Sequence, residues 1–117
     1  MDFDPARVVR REALFGGVGS VLVQALEESP LPAPFTTVLL CELSPGGRVG
    51  AHVQQTDSEI VVGLAGEAVL YVDGLAHALR PGGAAGLPLG GKLEIDNASA
   101  EAPFRYLIVK AAYLPSR

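Results

Sequence analysis

Hydrophobic and polar positions change over along this chain in short stretches, with turn residues interrupting them about every eight to twelve positions. The apolar stretches fall at 18–26, 35–43, 60–64, 68–72, 93–95 and 106–109, and Val, Leu and Ile dominate them. Their lengths suit strands and are too short for most helices. Between them stand Gly16-Gly17, 30–34, Pro45-Gly46-Gly47, Gly66, Asp73-Gly74, Pro81-Gly82-Gly83, 88–91, Asp96-Asn97 and Pro103. Asp73-Gly74 predicts a type I′ hairpin turn, which needs positive φ at both central residues. A short helix is predicted over 5–14, with Asp4 as N-cap and Pro5 in the first position; an extended arm is the alternative. The polar stretch 54–58 reads as a loop between strands. With no linker, repeat or low-complexity tract, the pattern predicts one all-β domain over 1–117, a sandwich or barrel. Residues 1–17 form its N-terminal arm or strand.

Composition narrows the function. Apolar types make up 49% of the 117 residues and charged types 19%, which supplies a core and excludes disorder. Thirteen acids against nine bases leave a net charge of −4, the wrong sign for a phosphate backbone. Tryptophan is absent and aromatics are 6%, so a base-stacking surface is not expected either. Cys41 is the one cysteine, so no internal disulfide forms, and a reducing, cytoplasmic setting is expected. Its apolar neighbours at 38–40 predict a small buried hydrophobe. Charges at Asp2, Asp4, Arg7, Arg10, Arg11 and Glu12 leave no room for a secretory leader. No apolar run reaches the ~18 residues that span a bilayer, and no membrane association is expected.

The densest set of coordinating side chains is His52, Gln54 and Glu59. On a strand, His52 and Gln54 share a face, and Glu59, beyond a short loop, returns on the next strand to meet them. Gly46, His52, Gln54, Glu59 and Gly66 are spaced as in the first cupin motif, G(X)5HXH(X)4E(X)6G. Gly82, Pro88, Gly90, Leu93 and Asn97 are spaced as in the second, G(X)5PXG(X)2H(X)3N. Residues 46–66 and 82–97 therefore resemble a small single-domain microbial cupin. The resemblance implies a double-stranded β-helix, or jelly-roll, barrel.

Cupins usually hold a divalent metal through two histidines and a glutamate of the first motif and a histidine of the second. This chain keeps His52 and Glu59, but has Gln54 and Leu93 at the other two positions. Glutamine offers a neutral carbonyl and leucine nothing, so the four-ligand site is broken. A pocket lined by His52, Gln54, Glu59, Val61 and Leu93 is expected, with His77 joining it if it turns inward rather than capping the hairpin rim. His52 and Glu59 are expected to pair, the carboxylate orienting and partly charging the imidazole. Glu59 needs a partner among His52, Gln54, Arg105 or water. Tyr71 and Tyr106 read as packing residues, Pro88 and Gly90 as a tight bend, and Gly63 as a pocket-widening or bulge residue.

The favoured reading is a module that binds a small organic molecule in the barrel without a cofactor. The alternative is an enzyme: an oxygenase-like cupin with Fe, Ni, Mn or Zn on His52, Gln54 and Glu59, or a metal-free isomerase or epimerase using His52 and Glu59 as acid and base. The resemblance also implies a homodimer, with which a mean hydropathy of +0.32 agrees.

Overall fold

The computed structural model describes residues 1–112. Ten strands form in chain order: β1 (Val9–Glu12), β2 (Ser20–Ala25), β3 (Phe35–Leu43), β4 (Arg48–Val53), β5 (Asp57–Ala65), β6 (Ala68–Val72), β7 (Leu75–Leu79), β8 (Ala84–Leu87), β9 (Lys92–Asp96) and β10 (Phe104–Ala112). They build two antiparallel sheets, one in the order β1-β2-β3-β10-β5-β8, the other β4-β9-β6-β7. This is the jelly roll that the two motifs imply. No helix among the described residues is long and apolar enough to cross a membrane.

Alternation explains the closure. On β9, Leu93 and Ile95 are buried while Lys92 is exposed and Glu94 and Asp96 half-buried; on β10, Phe104 and Tyr106 are buried. Together with Val21, Cys41, Leu43, Val61, Leu70, Leu79 and Leu87 these residues form one apolar cluster fed from both sheets. Strand β3 and strand β6 coincide with the predicted apolar stretches. Asp73 and Gly74 both adopt positive φ, 51° and 81°, and close the β6–β7 hairpin as a type I′ turn must.

The helix predicted over 5–14 does not form. Asp4 caps a single turn, its Oδ1 accepting from Ala6 N and its carbonyl from Arg7 N and Val8 N. The chain then pairs as β1 with β2, in register from Val9↔Val23 to Glu12↔Ser20. Partner strand and β-branched Val8-Val9 outweigh the cap, so the extended alternative holds. A 3-10 turn at Leu14–Gly16 follows, with Ala13 and Phe15 left-handed at φ 48° and 55°. It lies against β4 with backbone on backbone: a Cβ on Gly50 would collide with the Phe15 carbonyl, and one on Gly17 with the Arg48 carbonyl. Gly63 sits at the β5–β10 bulge, where a Cβ would strike the Arg80 carbonyl, so close packing and not pocket width explains it.

Candidate functional site

A cavity of about 340 Å³ lies between the sheets. Its wall is mainly apolar, from Leu14, Val23, Leu39, Leu93, Ile95 and Ile108 among others, and His52, Gln54, Glu59 and Lys110 supply polar groups. A smaller hollow of about 260 Å³ beside Glu67, Arg80 and Asp96 carries only an exposed Arg80–Glu67 pair at 3.8 Å, which solvent screens.

Strand β4 brings His52 inward through an irregularity. Val49 pairs with Ile95 and His52 with Leu93, so Gly50 and Ala51 together oppose Glu94. Without that bulge, residues three apart would face opposite sides; with it, Val49 and His52 both line the cavity. The same bulge places Gly50 under the N-terminal turn, where Phe15 stacks on the His52 ring at 4.0 Å between centroids and 14° between planes. His52 Nδ1 lies 3.2 Å from the Gly50 carbonyl. A carbonyl only accepts, so Nδ1 carries the proton and Nε2 is left as an acceptor. Burial pushes the His52 pKa down from its ordinary value, against the Gly50 contact, and Lys110 lowers it further.

Gln54 lies just past β4, 7% exposed, and its backbone is bonded into the second motif. Its N–H donates to Gly91 O at 3.0 Å, and Gly90 N–H donates to Gln54 O at 2.8 Å. Gly90, at φ 82°, makes the bend expected of the Pro88–Gly90 segment. Leu93 is 1% exposed and lies beside His52 on the cavity wall, where the motif would place its last histidine.

Glu59 is 3% exposed, and its Oε1 is buried without a hydrogen-bond partner among the described residues. Its cross-strand neighbour is Lys110. Burial raises the Glu59 pKa from its ordinary value; Lys110 pulls it down and Asp57 adds to the rise. The expected His52–Glu59 pair does not form, because His52 is engaged by Gly50 and Phe15 instead. Arg105 is not the partner of Glu59 either. It points to the outer face, where it bonds Glu42 at 3.0 Å and covers Phe3 at 5.0 Å.

Two further placements differ from expectation. His77 is exposed on β7, an edge strand, opposite Leu70, and does not reach the cavity. Leu79 is the one buried residue of that strand. Val61 is buried at 1% in the packed core and does not line the cavity. Cys41 is buried as expected, on the cavity wall; desolvation pushes its thiol up to about 12, with Tyr106 opposing, which favours the neutral thiol.

Sequence reasoning missed Phe15, Arg11 and Lys110. Lys110 had a signal: Phe104, Tyr106, Ile108 and Lys110 lie two apart, so an inward row ends in a cation. Phe15 had none, since its position comes from the Gly17 and Gly50 contacts.

The residues do not fit the divalent metal usual in cupins. His52 and Glu59 are two good donors, Gln54 a weak one and Leu93 none, while Lys110 adds a cation beside the carboxylate. Among the described residues no group of three or more His, Cys, Asp or Glu side chains could hold a metal ion.

A model of the cupin domain matches residues 39–110, and the chain belongs to the cupin family. Among solved structures, a Thermotoga maritima protein described as a predicted oxalate decarboxylase superposes with a TM-score of 0.81 at 22% identity, covering 97% of this chain and 100% of that one. A Cupin 2 conserved barrel domain protein from Salinispora arenicola CNS-205 gives 0.73 at 25% identity, covering 95% and 86%. A sugar phosphate isomerase of the cupin superfamily from Silicibacter pomeroyi gives 0.71 at 24%, covering 97% and 76%. No curated protein matches in sequence.

Proposed function

We propose that this cupin binds a small organic molecule in the barrel cavity without the usual four-ligand metal centre. One observation carries the reading: the buried Glu59 Oε1, without a partner among the described residues, on the wall of a largely apolar cavity of about 340 Å³. An orphaned carboxyl oxygen costs about 1–3 kcal/mol or more, which a ligand that bonds it returns on binding. Pockets for small molecules have this make-up, an apolar wall with few polar groups. The lack of a hydrogen bond between His52 and Glu59 weighs against an acid–base pair in an isomerase, and the donor set weighs against the oxygenase.

Two companion inferences complete the reading. The exposed edges of β1 and β7 favour a homodimer, since open strand edges need cover. A single buried thiol favours a reducing compartment, the cytoplasm. Light scattering at micromolar concentration should return twice the chain mass; the chain mass alone would refute the dimer.

Native mass spectrometry and metal analysis of untagged protein test the main reading. A copurifying organic mass with metal well below one per chain is expected. Stoichiometric Fe, Ni, Mn or Zn that disappears in His52→Ala would overturn it.

A further inference from the structure

The binding reading can be taken to a ligand class. Glu59 and Lys110 are register partners on β5 and β10, so their side chains leave the same face of adjacent strands. Both line the cavity, yet among the described residues no ion pair joins them, and Glu59 Oε1 stays unpartnered. A short carboxylate and a long ammonium thus leave the same face of adjacent strands into the cavity without pairing with each other.

Charge decides what that group is. An ammonium on the ligand would satisfy Glu59 but meet the charges of Lys110 and Arg11, both on the cavity wall. A carboxylate would satisfy Lys110 and be repelled by Glu59. A ketone or ether accepts from Lys110 but leaves the Glu59 oxygen orphaned. A zwitterion matches both, at the cost of burying two full charges against Leu39, Leu93, Ile95 and Ile108. A hydroxyl donates to Glu59, accepts from Lys110 Nζ and brings no charge to desolvate. The remaining wall takes an apolar body, and Phe15 offers it a ring.

Resting on the binding reading above, we infer that the ligand is a neutral apolar molecule with a hydroxyl group, an alcohol or phenol, whose oxygen bridges Glu59 and Lys110. Lys110 is then the residue that sets specificity, by rejecting cations that Glu59 alone would accept.

Five probes with a common phenyl body test this: phenethyl alcohol, ethylbenzene, phenethylamine, phenylacetate and phenylalanine. Calorimetry measures affinity, and NMR shifts of the Val23, Leu93 and Ile108 methyls locate the probe. The alcohol should bind about tenfold tighter than each of the others, the ratio that one hydrogen bond to a charged group supplies. Lys110→Met and Glu59→Leu should each bring the alcohol-to-ethylbenzene ratio down to about twofold or less. If Glu59→Leu fails to fold, Lys110→Met decides alone. A tighter amine, acid or zwitterion, or a ratio that survives the substitutions, overturns the hydroxyl class and leaves the cavity reading standing. No methyl shift with any of the five overturns both.

Discussion

In one region of the interior Asn97, 1% exposed, holds its Nδ2 within 3.4 Å of the carbonyls of Leu43, Ser44 and Ala102, while its Oδ1 accepts from Ser99 N. In another, Glu59 is 3% exposed with an oxygen that none of the described residues bonds. Both are motif positions, and both are buried polar groups. The first is consumed by the architecture, tying the end of β9 to the turns after β3 and before β10. The second is unspent. Buried polar groups are normally satisfied, so the contrast separates what the barrel needs to fold from what it holds ready for something else. It also shows that retaining a motif residue does not by itself retain the motif's chemistry.

The contrast can be broken at either end. Asn97→Ala should have the largest effect, lowering stability by about 3 kcal/mol in urea unfolding, because several buried carbonyls lose their donor at once. A loss below about 0.5 kcal/mol would mean that water replaces the amide. Next, Gly50→Ala should cost about 2 kcal/mol, since its Cβ collides with the Phe15 carbonyl, and the His52 ring resonances should lose the shift that a stacked phenyl imposes. Unchanged His52 shifts would show that the turn is not held by that contact.

A smaller effect is expected at Glu59. Its folded pKa lies above the unfolded value, so the native state binds the extra proton and stability falls as pH rises from about 4.5 through the folded pKa. Glu59→Gln should flatten that fall and leave the ligand-free protein about 1 kcal/mol more stable at neutral pH. A stability profile parallel to the parent's would show that the carboxyl already has a partner. His52 acts with the opposite slope: its lowered pKa costs stability as pH drops below about 6.5 through the folded value. The smallest effect is expected at His77→Ala, within about 0.5 kcal/mol and without change in probe affinity, because the side chain is exposed and does not line the cavity. A tenfold affinity loss there would return His77 to the site.

Much of this was legible before any coordinates. Residues 35–43 and 68–72 announce β3 and β6 by composition, and Asp73-Gly74 announces its turn by backbone chemistry. Motif spacing brought His52, Gln54, Glu59 and Leu93 to one wall. What it did not reveal depends on contacts between segments distant in sequence. The 5–14 stretch carries genuine helix signals, and only pairing with β2 overrides them. His52 and Glu59 look like a pair on spacing alone, but Phe15 and the Gly50 carbonyl take the imidazole. Strand parity left His77 two choices, and the structure leaves it exposed on an edge strand, off the cavity wall.

Strand β10 lies between β3 and β5, so the larger sheet has the last of the described strands in its middle. Until residues 104–112 leave the ribosome, β3 and β5 each present an unpaired edge and the barrel stays split. Unpaired strand edges and exposed apolar rows of this kind are what make incompletely paired sheets prone to aggregate. Closure of this sheet therefore waits on residues 104–112, and deleting them would part β1-β2-β3 from β5-β8.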